Sequence, residues 1–209
     1  MSFYRDHVLP RGVDWMMRGE VFSAERRKWA EGLHGRVLEV GFGSGLNVPF
    51  YPPEVTEILA LEPAALAWKL ARERVAAAPM PVTFVGLRGE EIPLDAASVD
   101  CVGCTWTLCT IPDVAQALLE IRRVLAPGGR FHFLEHGRSE EPRVARWQDR
   151  LNPVQKLIGG GCHLNRRIDE LVLEAGFRLD SLERYSIKGP KIATALYRGV
   201  ATAAPGVAP

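Results

Sequence analysis

The 209-residue chain contains no apolar run near the roughly 18 residues that cross a bilayer, so no spanning segment is expected. It opens on no secretory signal pattern, which makes the cytoplasm the expected compartment. An excess of either charge is missing. The formal net charge of +1 leaves no electrostatic footprint for nucleic acid or an acidic membrane. Cysteine is sparse too. The four thiols lack zinc-finger spacing, so no metal site is expected. Cys101 and Cys104 form a CxxC, but it lies in an apparent strand and has no second pair; buried free thiols are expected there. There is no internal repeat. What remains is an ordinary globular balance, 47% apolar and 24% charged, sufficient for one domain with a proper core.

The strongest local signal is the stretch from Arg36 to Asn47. A short run of Val and Leu reads as a buried parallel strand. It breaks into three glycines at alternate positions, Gly41, Gly43 and Gly45. Glycine takes positive φ and lets backbone approach a ligand closely. A strand that opens into such a turn forms a cradle at its carboxyl end. A dinucleotide fingerprint would require Gly or Ala at position 46, where Leu46 stands. Glu62 closes the next strand about 20 residues on. Its carboxylate can accept from both hydroxyls of a ribose. Turn and acid together point to a nucleoside and leave NAD and other nucleosides open.

Around this stretch the pattern alternates strand and helix. Strands are expected over 36–41, 58–63, 82–85, 98–105 and 130–135. Helices are expected from about 46 to the Pro52-Pro53 pair, over 64–78 and over 112–125. Two more are expected over 141–158, with a break at Asn152-Pro153, and over 165–175, capped by Asn165. The strands expected over 177–185 and 192–198 lack a helix between them, which suggests a hairpin. The expected fold is therefore α/β: a Rossmann-like, seven-stranded, mostly parallel sheet with one antiparallel strand and helices on both faces. Residues 1–33 read as two amphipathic helices broken near Pro10, docked on the main domain as a lid, with Tyr4 reaching inward. The apolar Trp15-Met16-Met17 cluster lies in this lid. Association of these helices with a membrane surface is the weaker alternative. The main domain is expected over 34–199, and a disordered tail over 200–209.

The form Glu39-x-Gly41-x-Gly43-x-Gly45 resembles the first motif of the class I S-adenosylmethionine (SAM)-dependent methyltransferases. Three further stretches follow in that family's order. They are the acidic turn from Arg88 to Asp100, the segment Cys104 to Cys109, and the Pro127-Gly128-Gly129 turn into the strand ending at Glu135 and His136. With Tyr51-Pro52-Pro53 and the run Gly161 to Arg166, the chain is similar to the branch containing the mammalian alkyl-thiol S-methyltransferases. Two features depart from it: the start is charged and amphipathic, and Phe42 follows Gly41.

The resemblance implies SAM as cofactor and S-adenosylhomocysteine as product. Cofactor contacts are implied at Glu39, Gly41, Phe42, Gly43, Gly45, Asn47, Glu62, Pro63, Gly89, Glu90 and Thr105, with Tyr4 added from the lid. The implied reaction is direct SN2 transfer to a small apolar acceptor, a thiol first among them. His136 and Glu135 are the candidate catalytic pair. His163, in the glycine loop, is the weaker candidate, and His7, His34 and His132 are read as structural. A lipid or quinone methyltransferase and a non-catalytic SAM-binding module are the alternatives. An arsenite methyltransferase is disfavoured because Cys101 and Cys104 should face opposite sides of their strand. A monomer or homodimer is expected.

Overall fold

The computed structural model describes residues 4–86 and 88–204. Seven strands form one sheet in the order β3-β2-β1-β4-β5-β7-β6. They are β1 (Gly35–Val40), β2 (Val55–Leu61), β3 (Val82–Gly86), β4 (Val99–Thr105), β5 (Leu125–His136), β6 (Phe177–Ser186) and β7 (Ala195–Ala203). β1 to β5 run parallel, and β7 lies antiparallel between β5 and β6. The chain winds from β1 outward to β3, then returns to place β4 on the other side of β1. The crevice above β1 and β4 is therefore the switch point at which such sheets bind ligands.

Alternation along the strands divides the core into two layers. Leu38, Val40, Val102 and Cys104 face one side, under Leu118 and Ile121 of α4 (Val114–Val124) and Val172 of α6 (Ile168–Glu174). Val37, Ile58 and Cys101 face the other, under Trp29 of α2 (Glu20–Ala30) and Ala71 of α3 (Ala65–Ala76). Cys101 and Cys104 thus lie on opposite faces, as their odd spacing requires. Trp29 locks α2 to the sheet. A Cβ on Gly103 would stand 2.5 Å from its ring, and its indole nitrogen donates to the His132 carbonyl at 3.1 Å.

Several boundaries differ from the sequence expectation. The N-terminal break falls at Arg18-Gly19, not near Pro10. A π-helical turn (Tyr4–Val8) runs into α1 (Leu9–Met17), and Pro10 sits in its first turn, where no N–H is needed. α2 belongs to the core, so of the expected lid only the segment up to Met17 lies outside the two core layers. Within it Met17 is buried, whereas Trp15 and Met16 are exposed. In place of a helix from 46 there is one 3-10 turn, Val48–Phe50.

α5 (Pro142–Ile158) continues through Pro153 without a break. Its neighbours are pinned from outside: Asn152 accepts from the Leu164 amide, and Asp149 holds Arg138 and Asn165. Asn165 is thereby occupied, and α6 starts three residues later than expected. The last strand runs to Ala203, paired with Phe177, so residues 200–203 are sheet; residues 205–209 of the expected tail lie outside the described residues. Among the described residues no helix is long and apolar enough to cross a membrane.

Candidate active site

Each glycine of the turn after β1 meets a different constraint, and all three have positive φ (+78, +56 and +74). A Cβ on Gly41 would overlap the Thr107 hydroxyl. On Gly45 it would press on the Phe42 ring at 3.3 Å. On Gly43 the nearest atom is a carbonyl oxygen 3.9 Å away, so this position opens onto the crevice. Phe42 itself turns into the core, against Trp68.

Two buried carboxylates support the turn. Glu62 accepts from the Gly43 amide at 2.7 Å and from the Ala64 amide at 2.8 Å. Burial raises its pKa, against the lowering effect of these two amides. Each oxygen of an ionised carboxylate keeps a further lone pair. Glu39 is fully buried beneath the turn and accepts from Asn47 and from the Tyr51 hydroxyl, each at 2.6 Å. Burial pushes its pKa up to about 7 in spite of these donors. Asn47 also donates to Thr105 at 3.0 Å and accepts from Arg26 at 2.9 Å. Arg26, Asn47, Glu39 and Tyr51 are thus one polar chain below the cradle. Among the other expected contacts, Pro63 is exposed, Gly89 is buried against Val40 and Ile111, and Glu90 is half-buried.

The N-terminal segment is a strap tied to the domain at both ends. Asp14, 5% exposed, accepts from the Ser44 hydroxyl at 2.6 Å and pairs with Arg74 at 3.2 Å and with Arg18. Burial would raise its pKa, yet Ser44, Arg18 and Arg74 together hold it below the usual carboxylate range. Arg26 donates to the Met17 carbonyl at 2.8 Å and so ties the end of the strap to the polar chain. At the other end Leu9 packs on Gly160, and the Tyr4 hydroxyl donates to the Ile158 carbonyl at 2.8 Å. Tyr4 therefore anchors the strap to the end of α5 and is exposed there, instead of reaching inward as expected.

The far wall of the crevice is built where β4 and β5 end. Glu135 is fully buried and accepts from the Thr107 amide at 2.9 Å, the Cys109 amide at 3.4 Å and the Cys104 thiol at 3.3 Å. Burial pushes its pKa up to about 7. Its geometry holds the 107–109 loop in place. Arg166 donates to the Leu108 carbonyl of the same loop, and His163 lies 3.1 Å from the Cys109 carbonyl. His136 is buried beside Cys162. Cys109 and Cys162 lie 3.6 Å apart, Sγ to Sγ. The hydrogen bond between the two thiols lowers the pKa of Cys162 and raises that of Cys109.

Several of the pairings among these residues carry no signal in the sequence. Asp14 and Ser44 are 30 positions apart, Arg26 and Asn47 are 21 apart, and Cys109 and Cys162 are 53 apart. No periodicity or motif pairs them; only the winding of the sheet does.

The crevice suits a nucleoside cofactor. The space before Gly43 is one that a side chain would fill, and the Glu62 oxygens beside it can only accept. Residues 38–133 match the family described as Methyltransferase domain. The chain is 35% identical over 171 residues to the human thiol S-methyltransferase TMT1B, covering 79% of this chain and 69% of that protein. It is 35% identical over 153 residues to the rat TMT1B, covering 70% of this chain and 62% of that protein. The chain thus spans about two thirds of the length of these relatives. A SAM-dependent methyltransferase from Thermotoga maritima, a possible histamine N-methyltransferase, superposes with a TM-score of 0.68. That match has 19% identity and covers 95% of this chain and 99% of the other. The chain belongs to the SAM-dependent methyltransferase family, in the branch that holds the thiol S-methyltransferases.

Proposed function

We propose that this protein transfers a methyl group from SAM to a small apolar thiol by direct displacement. The observation that supports the reading is the gathering of Cys109, His136 and Cys162 beyond the carboxyl ends of β4 and β5, the same edge of the sheet at which the β1 glycine turn opens. The 35% identity to thiol S-methyltransferases supports the same acceptor. When bound, the cofactor supplies a methyl group already activated on a sulfonium. The chain's own work is to hold and align. Gly43 lets the backbone approach the cofactor. Glu62 accepts from the ribose hydroxyls with its remaining lone pairs, while Glu39 and Asn47 hold the turn from below. Gly89 and Glu90 edge the adenine.

Alignment of two reactants is worth a large share of a displacement barrier. The strap from Tyr4 to Met17 serves that purpose by covering the crevice and excluding water. A free thiol has a pKa of about 8.5, so an acceptor also needs help to lose its proton. His136 is the group placed to give it. Glu135 acts at one remove, as a positioning residue for the loop that carries Cys109.

The exposed Val8, Trp15 and Met16 of the strap would also suit a greasier acceptor. Incubation of the purified chain with methyl-labelled SAM and separate small thiols, quinones and phospholipids tests the reading. Labelled thioether is the expected product. Label in quinone or lipid with none in any thiol would move the assignment to those acceptors. SAM binding with no transfer at all would leave a binding module.

A further inference from the structure

Cys109 lies in the loop after β4, His136 at the end of β5, and Cys162 in the glycine loop after α5. One ligand atom from each, two sulfurs and an imidazole nitrogen, lies within 4.8 Å of the other two. The two sulfurs are 3.6 Å apart. Two thiolates bound at about 2.3 Å to one tetrahedral ion stand about 3.8 Å apart. The geometry is therefore close to that of a bound metal. His136 supplies a second, independent observation. It is 6% exposed, and its Nε2 lies 3.4 Å from the Ile192 carbonyl. A carbonyl can only accept, so that nitrogen carries the hydrogen and Nδ1 keeps a lone pair. Nδ1 is buried and makes no well-formed hydrogen bond, with the Cys162 sulfur beside the ring. A ring with one N–H on a backbone carbonyl and the other nitrogen free has the arrangement of a metal-ligating histidine. A buried lone pair without a donor is otherwise a cost to the fold.

We propose that Cys109, His136 and Cys162 bind one zinc ion and leave its fourth position open. Two thiolates and an imidazole suit a soft or borderline cation, not magnesium or calcium, which take oxygen ligands. Glu135, the adjoining carboxylate in sequence, is committed to the amides of Thr107 and Cys109. Among the described residues no fourth His, Cys, Asp or Glu joins the group. Three protein ligands with one open position is the pattern of catalytic zinc; structural zinc has four.

Loading releases the Cys109 and Cys162 thiol protons to solvent. The role of the open position rests on the thiol reading above; the binding of zinc does not. A thiol entering that position loses its proton to solvent, because a zinc-bound thiol is deprotonated. Its sulfur then forms a bond to the methyl carbon as the bond from that carbon to the sulfonium breaks. The methylated thioether, a poor zinc ligand, departs with S-adenosylhomocysteine. His136 would then assist deprotonation through the ion and would not take the proton itself.

Cobalt(II) is the probe. The full chain is reduced with a phosphine, stripped with chelator and titrated. One equivalent should give a thiolate-to-cobalt absorption band that one equivalent of zinc abolishes. Cys109→Ser and Cys162→Ser should lose the band, and His136→Ala should weaken binding at least ~10-fold, while His163→Ala should retain it. Variants are compared only after circular dichroism shows a native fold. In the wild-type chain, zinc should also protect Cys109 and Cys162 from alkylation, as read by peptide mass spectrometry. No band and no protection would overturn the site, as would an unchanged band in the folded Cys109→Ser Cys162→Ser double variant. Addition of a small apolar thiol should shift the cobalt spectrum; an unshifted spectrum would overturn the open position. Cobalt binding without methylation of any thiol would overturn the acceptor assignment and leave the metal site standing.

Discussion

The Gly43 amide donates to Glu62 Oε2 at 2.7 Å, so the acid expected to hold the ribose also holds the glycine turn. Removing it has two consequences. Glu62→Ala should weaken SAM binding by roughly 10- to 100-fold, since a hydrogen bond to a charged group contributes about 1.5–3 kcal/mol. Glu62→Gln keeps an acceptor and should lose less. Calorimetry with SAM and with NAD checks both effects. Unchanged SAM affinity in the alanine variant would place Glu62 outside the site, and tighter binding of NAD would overturn the cofactor.

The glycines separate binding from folding. Gly43→Ala places a methyl group in open crevice, so SAM binding should collapse while the fold survives with a modest penalty for positive φ. Gly41→Ala drives the same methyl group into Thr107, so that variant should lose stability instead. Thermal melts alongside SAM titrations distinguish the two. A Gly43→Ala protein that binds normally would make the turn purely structural.

Stability should depend on pH through Glu39 and Glu135. Both have folded pKa values raised by burial from the ordinary 4.5 to about 7. Between those values the fold keeps protons that the unfolded chain has released. Stability is therefore highest near the lower limit and falls as pH rises through the window, by on the order of 1–3 kcal/mol for each group. Urea unfolding at pH 5, 6, 7 and 8 measures the slope. Glu39→Gln should flatten it by about half, because the Tyr51 hydroxyl can turn to accept from the new amide. A slope that rises with pH would contradict the burial argument.

The strap and the reacting corner should separate transfer from binding. Asp14→Ala removes the partner of Ser44 and Arg74 and should lower turnover more than SAM affinity. His136→Ala should slow methylation of a thiol most at low pH, where little thiolate forms unaided. The gap should narrow at high pH. Parallel pH–rate profiles for wild type and His136→Ala would remove His136 from acceptor deprotonation.

The sheet was legible because each strand and its turn are local signals. The Val and Leu run before Gly41, the acid at Glu62 and the Pro127 turn each declare themselves within a few residues. The opposite facing of Cys101 and Cys104 followed from spacing alone. Boundaries were less legible where tertiary contacts override local preference. Pro153 reads as a break, yet α5 runs through it, with Asn152 and Asp149 beside it held by Leu164, Arg138 and Asn165. Asn165 reads as a cap, but Asp149 claims its side chain. The strap was legible as an amphipathic segment, but its anchors were not, since Asp14, Ser44, Tyr4 and Ile158 come together only after folding. The same holds for Cys109, His136 and Cys162, whose spacing resembles no metal motif.

The fit of Trp29 into the space left by Gly103 has a mechanical consequence. An indole seated against bare backbone cannot slide along the strand without losing its contacts on several sides at once. α2 is therefore a fixed leaf, and any swing of α1 must be absorbed at Arg18 and Gly19, between the two helices. The pivot of the strap is thus set by a glycine in β4 and a tryptophan packed on the face of the sheet opposite α4. Filling position 103 would shift that pivot without changing any residue of the strap itself.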